Sequence, residues 1–395
     1  MSRRLRDYSR LMKAADPVTI LSKIVSSTED MLTVAPNDRA RVQVLSLMGL
    51  AHHRTGNNDE ALCCFARAFH MNGSVEALKN ALVSGSALKS STAKQAMAGL
   101  LLAAAKRLEA MDDSTERADL ADALCHAHGH GGNLKQAQRF GSVALTVKHR
   151  QAMTQNNKLL RLGKIHARPF DFNAPHKNVI AFALFGDKRH YTDMAIENMQ
   201  ALRHVYPGWS ARFYVDKTVP MSVIEELARR GADIRIRKDR NDWRTMSGMF
   251  WRFAVAADPA VDFFLIRDCD ALINVREKVA VDEWVASHKG FHIIRDFFTH
   301  SELVLGGLWG GRGGALSNME KAGAAFLKQA DHGVGRGNYD QVFLRNHIWP
   351  LIAPHALEHD SQFVSPTGHG QPFPSFGTMH PTRHVGQDMN IFKNR

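Results

Sequence analysis

The chain has 395 residues, a formal net charge of +12, 44% hydrophobic and 23% charged residues. This is the composition of a folded globular protein with room for two or three domains, and it excludes a disordered or fibrous chain. The positive charge fits a phosphate-bearing partner (a nucleotide, a nucleic acid or an anionic membrane surface) without choosing among them. Four cysteines, Cys63, Cys64, Cys125 and Cys269, form no CxxC pair. They read as reduced thiols, so a cytoplasmic location is expected and a disulfide framework is not. The basic opening stretch Met1–Val18 lacks the apolar run of a signal peptide, and no segment reaches the roughly 20 apolar residues of a membrane span. At most peripheral contact with the inner membrane face is expected.

Residues 1–165 are expected to form an all-helical domain, with Ala and Leu recurring at three- and four-residue spacing from Arg39 to Arg150. Gly49, His52, Gly56, Asn57, Ala61, Phe65 and Ala68 fall at the spacings of a tetratricopeptide repeat, which this stretch resembles. Gly49 and Ala61 would let two helices approach, and Gly56-Asn57 would turn between them. A weaker copy has Gly132-Asn133 in the turn, followed by Ala137 and Ala144; the repeat between them is degenerate or interrupted. A generic helical bundle fits the same residues. On either reading this half packs and interacts, and it offers a surface for a protein partner.

Residues 166–177, with Pro169 and Pro175, read as a linker to a domain spanning 178–395. Asn178–Phe185 is an apolar run suited to a buried strand. A helix from about Tyr191 to Val205 follows, then a strand at Ser210–Val215 and a helix at Met221–Arg230. Next come a strand at Ala232–Ile236, a helix at Met246–Ala256 and a strand at Asp262–Ile266. Alternation of this kind predicts a mostly parallel α/β sheet whose ligands bind beyond the carboxyl ends of the strands.

The last of those strands runs into Arg267-Asp268-Cys269-Asp270. Two carboxylates at i and i+2 of an extended segment point to one side and can hold a hard divalent cation, leaving positions for phosphate oxygens. A solvated turn with a capping Asp gives the same letters, but the four apolar residues before it favour a strand end.

The alternating half followed by DxD resembles the GT-A fold of glycosyltransferases. The wording of Met249–Trp284, His292–Asp296, Gly306–Gly311, Tyr339–Leu344 and His359–Ser361 is similar to a bacterial group of these enzymes, often fused to tetratricopeptide repeats. In that group the tail usually reads Phe-Val-Gly-Gln, where this chain has His384-Val385-Gly386-Gln387. The resemblance implies transfer of a sugar from a UDP- or GDP-sugar donor to a glycan or lipid-linked acceptor in a cell-envelope setting. Asp268 and Asp270 would hold Mn²⁺ or Mg²⁺ against the donor diphosphate. It also implies a third ligand from a later segment: His359 is the choice, with His380 and His384 as competitors.

Other residues join these with two readings each. Arg252, among aromatics on an apolar helix, is a phosphate clamp or a snorkelling side chain. Arg267 has a similar, weaker claim. Lys188, Arg189 and Tyr191 follow the first strand and would meet phosphate and base, or form a solvated basic loop. Gly306, Gly307 and Trp309 would admit a ligand close to the backbone and offer a face to a sugar, or make a tight turn. Asp296 and Asp340 compete as the carboxylate at the reacting centre; Asp340 also suits a helix cap. Three further functions fit less well: a sugar nucleotidyltransferase, a non-catalytic repeat scaffold, and a nucleic-acid binder, which lacks any zinc, helix-turn-helix or aromatic-strand signature.

Overall fold

The computed structural model describes residues 17–86, 88, 91–155, 159–238, 244–329, 339–374 and 384–389. The chain divides into two units, Met1–Val147 and Lys148–Arg395.

The first unit is helical: α1 (Pro17–Thr33), α2 (Asp38–Arg54), α3 (Asn58–Asn72), α4 (Val75–Ser86), α5 (Ser91–Glu109), α6 (Thr115–His130) and the start of α7 (Leu134–Met153). The α2–α3 pair shows why the repeat pattern has its glycines. Gly49 packs against Phe65 so closely that a Cβ would stand 2.7 Å from the ring. Gly56 turns with φ +82°, and the Asn57 N–H donates to His52 O at 2.9 Å. The α6–α7 turn repeats that geometry: Gly132 has φ +80° and the Asn133 N–H donates to His128 O at 2.8 Å. The same left-handed residue thus closes both helix pairs, because its missing Cβ makes positive φ cheap. Helices α4 and α5 fill the interval between the two copies.

The second unit carries β1 (Asn178–Leu184), α8 (Arg189–Val205), β2 (Ser210–Val215), α9 (Met221–Arg229), β3 (Asp233–Ile236), α10 (Arg244–Trp251), β4 (Phe263–Ile266), α11 (Val275–Ala286), β5 (Phe291–Arg295), β6 (Trp309–Arg312), α12 (Met319–Gln329), α13 (Tyr339–Phe343), α14 (Trp349–Ile352), β7 (Ala356–Asp360) and β8 (Gly370–Gln371). Among the described residues the sheet order is β3-β2-β1-β4-β6-β5-β7-β8. Strands β3, β2, β1 and β4 are parallel neighbours, β6 runs antiparallel between β4 and β5, and β7 and β8 continue in parallel from β5.

Alternation along the strands sets one packed face. Ile180, Phe182 and Leu184 of β1 join Phe213, Phe263 and Leu265, covered by Ala195, Met199 and Leu202 of α8 and Trp284 of α11. Burying such side chains contributes about 1.5–3 kcal/mol each, which holds the strand ends in fixed register. The glycine-rich segment, expected as a turn or ligand loop, is partly strand β6. Gly310 lies so near β4 that a Cβ would press 2.5 Å from Phe264 O, and Gly311 gives way similarly to Phe291. Residues 166–177, read as a linker, lie on the second unit. Arg168 pairs with Asp262 at 2.5 Å, and the Phe170 ring packs against Trp209 and Phe263.

Candidate functional site

The carboxyl ends of β1 and β4 meet at a cavity of about 700 Å³. Its first wall is the turn after β1. Gly186 takes φ +79°, and its N–H donates to Thr218 Oγ1 at 2.8 Å, which tethers this turn to the chain after β2. Lys188, at the N-cap of α8, and Tyr191 in its first turn line the cavity. Burial raises the Tyr191 phenol, and the Asp270, Asp388 and Asp268 carboxylates raise it further. Arg189 stands away from the cavity, its side chain 90% exposed and 3.6 Å from Asp193.

The second wall is the DxD segment. The Arg267 N–H donates to Ala181 O at 3.1 Å, so β4 stays aligned with β1 up to the motif. Asp268, Cys269 and Asp270 then line the cavity. Arg252, 5% exposed and just beyond α10, ties the carboxylates together. Its Nη1 pairs with Asp268 Oδ1, and its Nη2 reaches Asp340 Oδ2 at 3.3 Å. The arginine is thus a crosslink between DxD and Asp340. Asp340 opens α13, and its Oδ1 accepts from the Gln341 N–H at 2.9 Å. Burial raises its carboxyl; Arg252 opposes that and Asp268 adds to it. The Asp270 carboxyl is pushed up to about 7, first by burial and then by Asp268 and Asp388.

The Gly306-Gly307 pair makes this packing possible. A Cβ at Gly306 would overlap Asp340 Oδ2, and one at Gly307 would overlap Asp268 Oδ2. The two glycines lie in a turn closed by the Leu308 N–H donating to Leu305 O at 3.3 Å, and their missing side chains also allow close approach to the carboxylates.

The third wall is the tail that contains His384-Val385-Gly386-Gln387. Residues 384–389 return across the site: the Met389 N–H donates to Asp270 O at 2.9 Å, and Asp388 forms an antiparallel bridge with Ala271. Gly386 and Asp388 line the cavity, as do Met249, Thr299 and His300. His384 stacks on Phe297 with centroids 4.1 Å apart and donates from Nδ1 to Val385 O at 3.0 Å.

Besides Arg189, four expected site residues lie elsewhere, and strand alternation explains two of them, Arg267 and Trp309. Arg267 precedes Asp268, so it points to the other face. There it pairs with Glu277 at 3.2 Å, and Glu277 accepts from the Tyr206 hydroxyl at 2.9 Å. Trp309 follows Leu308, which lines the cavity, and is itself buried against Phe253 and Phe264. His359 sits between Glu358 and Asp360, which both turn to Arg295. Its own ring is committed to His292 at 2.7 Å and Glu283 at 3.1 Å, so it is not brought to the DxD carboxylates. Asp296, fully buried, forms a bidentate pair with Arg276 at 2.7 and 2.9 Å and accepts from the Val385 N–H at 3.0 Å. It grips the returning segment and does not line the cavity. His380 lies outside the described residues.

Among the described residues, no three His, Cys, Asp or Glu side chains gather closely enough to hold a metal ion by themselves. Nor is any helix among them long and apolar enough to cross a membrane.

No family model matches this chain, and no curated protein does. Among solved structures, the chain is similar to a mutant O-GlcNAc transferase from Thermobaculum terrenum, with 14% identity and a TM-score of 0.37 over 67% of this chain. It spans 46% of the length of that protein, and a likeness this slight carries neither fold nor function.

Proposed function

We propose that the second unit is a glycosyltransferase of GT-A type that moves a sugar from a UDP- or GDP-sugar to a glycan or lipid-linked acceptor. The observation that carries this reading is the charge balance beyond β4. Asp268, Asp270, Asp340 and Asp388 line one cavity with Arg252 as the cation paired to two of them. Crowded carboxylates that raise Asp270 to about 7 suit a bound divalent cation, which would relieve their repulsion. Asp268 and Asp270 would hold Mn²⁺ or Mg²⁺, with substrate oxygens completing the shell. When bound, the cation supplies Lewis-acid neutralisation of the leaving nucleoside diphosphate.

The chain's own groups supply the rest. Lys188 stands at the N-terminus of α8, where backbone N–H groups favour an anion. The Tyr191 ring offers a face to the base. Arg252 holds Asp268 and Asp340 in fixed relation. Asp340, with its carboxyl raised by burial, is suited to take or orient the acceptor hydroxyl proton. The cavity is large enough for a nucleotide-sugar. The helical unit is proposed to contact a protein partner, and no specific nucleic-acid role is proposed.

Thermal-shift titration with UDP-, GDP- and CMP-sugars, each with and without Mn²⁺, tests the reading. A shift with one sugar nucleotide that needs the cation supports it. A shift with a nucleoside triphosphate and sugar phosphate instead would move the chain to sugar nucleotidyl transfer.

A further inference from the structure

We infer that Asp296 is a positioning residue, the latch that holds residues 384–389 as a wall of the donor cavity. The inference rests on the reading of that cavity as the nucleotide-sugar site. Asp296 is buried at the end of β5 and is held by contacts that make it rigid. Arg276 of α11 pairs with both its carboxylate oxygens at 2.7 and 2.9 Å, and the Arg276 guanidinium lies 4.3 Å over the Phe373 ring. A carboxylate fixed by a planar guanidinium has its remaining acceptor direction set, and here that direction meets the Val385 N–H at 3.0 Å.

Val385 is the apolar plug of the latch. It is fully buried with Ala280, Ile294, Leu308 and Phe373, so the hydrogen bond and the packing act on the same residue. The next residue, Gly386, turns with φ +75° against Leu308. That turn sends Asp388 beside Ala271 and lets the Met389 N–H reach Asp270 O at 2.9 Å. The segment is therefore fastened at one end to Asp296 and at the other to the main chain of the DxD motif. Between the fastenings it presents Gly386 and Asp388 to the cavity. Asp296 thus acts on the donor site through this strap without touching it, which explains a fully buried carboxylate where the sequence suggested a reacting one.

The test compares full-length Asp296→Ala and Asp296→Asn by amide hydrogen exchange and by titration with UDP or GDP in the presence of Mn²⁺. The decisive amide is Met389, which Asp296 does not contact. In Asp296→Ala its exchange should accelerate by about tenfold or more, the scale of losing a charge-assisted hydrogen bond, while β1 and β4 stay protected. Nucleotide affinity should fall by a similar factor. Asp296→Asn, which keeps an acceptor for Val385, should be intermediate. Because Asp296→Ala leaves Arg276 unpaired and can misfold, Gly386→Ala provides a second perturbation from the strap side, and the same coupled loss is expected. Unchanged Met389 exchange overturns the latch. Faster Met389 exchange with unchanged nucleotide affinity overturns the positioning role. If the wild-type protein binds neither nucleotide, the donor reading fails, and Met389 exchange still decides whether Asp296 latches the strap.

Discussion

Gly307 and Asp268 lie so close that any side chain at position 307 would overlap the Asp268 carboxylate. Gly307→Ala should therefore displace Asp268 without removing a ligand. Displacing a group that orients a metal-binding carboxylate costs about 10- to 100-fold in metal affinity or activity. The expected result is that loss in a Mn²⁺ titration, with a cooperative thermal transition retained. Unchanged affinity would mean that Asp268 has no fixed place in the site.

Arg252 is expected to matter for stability as well as activity. It pairs with Asp340 at 3.3 Å, both side chains being buried. Arg252→Met leaves that carboxylate without its cation, a loss of about 3 kcal/mol for a buried pair broken on one side. Adding Asp340→Asn should recover much of this, because the unpaired charge is gone. Urea unfolding of the two single variants and the double variant measures the coupling. Strict additivity would refute it.

Acid should weaken the second unit through its histidine pair. Glu283 accepts from His359 Nε2–H, so His359 Nδ1 accepts from His292 Nε2–H. This leaves the buried His292 Nδ1 without a hydrogen-bond partner among the described residues. Burial depresses both rings, most strongly His292, where the His359 and Arg267 charges add to it; Glu283 partly opposes the shift at His359. A histidine depressed on folding is neutral in the native state and takes up a proton only when unfolded. Stability is therefore lost as pH falls below the ordinary value of about 6.5, with a slope of up to about 1.4 kcal/mol per pH unit for each such ring. His292→Phe, which keeps a ring stacked on Trp284, should flatten that slope between pH 6.5 and 5. An unchanged slope would place the acid sensitivity elsewhere.

Strand β6, expected as a turn or ligand loop, was not read as a strand. The sequence carried β1 to β4 because helices with clear ends punctuate them, such as the one stopped by Pro207-Gly208, and because β1, β2 and β4 are mostly buried. Asp268 and Asp270 were legible for the same reason: an apolar strand delivers them. Arg267 and Trp309 sat beside the right residues but on the wrong face, and a single-residue offset in a strand reverses the face. His359 lies on β7, whose neighbouring Glu358 and Asp360 bind Arg295 and do not line the cavity. Asp388 gave no local signal. Its place depends on the chain returning past Asp296 to Asp270, a contact between residues more than a hundred positions apart. Gly306 and Gly307 were recognised as unusual, but only the structure supplies the carboxylates that require them.

The most direct test of the central claim is calorimetric titration of UDP and GDP into the wild-type protein and into Asp270→Asn, in Mn²⁺ and again in EDTA. If Asp268 and Asp270 hold the cation that receives the donor diphosphate, one nucleotide binds the wild-type protein in Mn²⁺. That binding is lost in EDTA and reduced by about 10- to 100-fold in Asp270→Asn. Equal affinity in EDTA and in Mn²⁺, or an Asp270→Asn protein that binds as wild type does, would contradict the account.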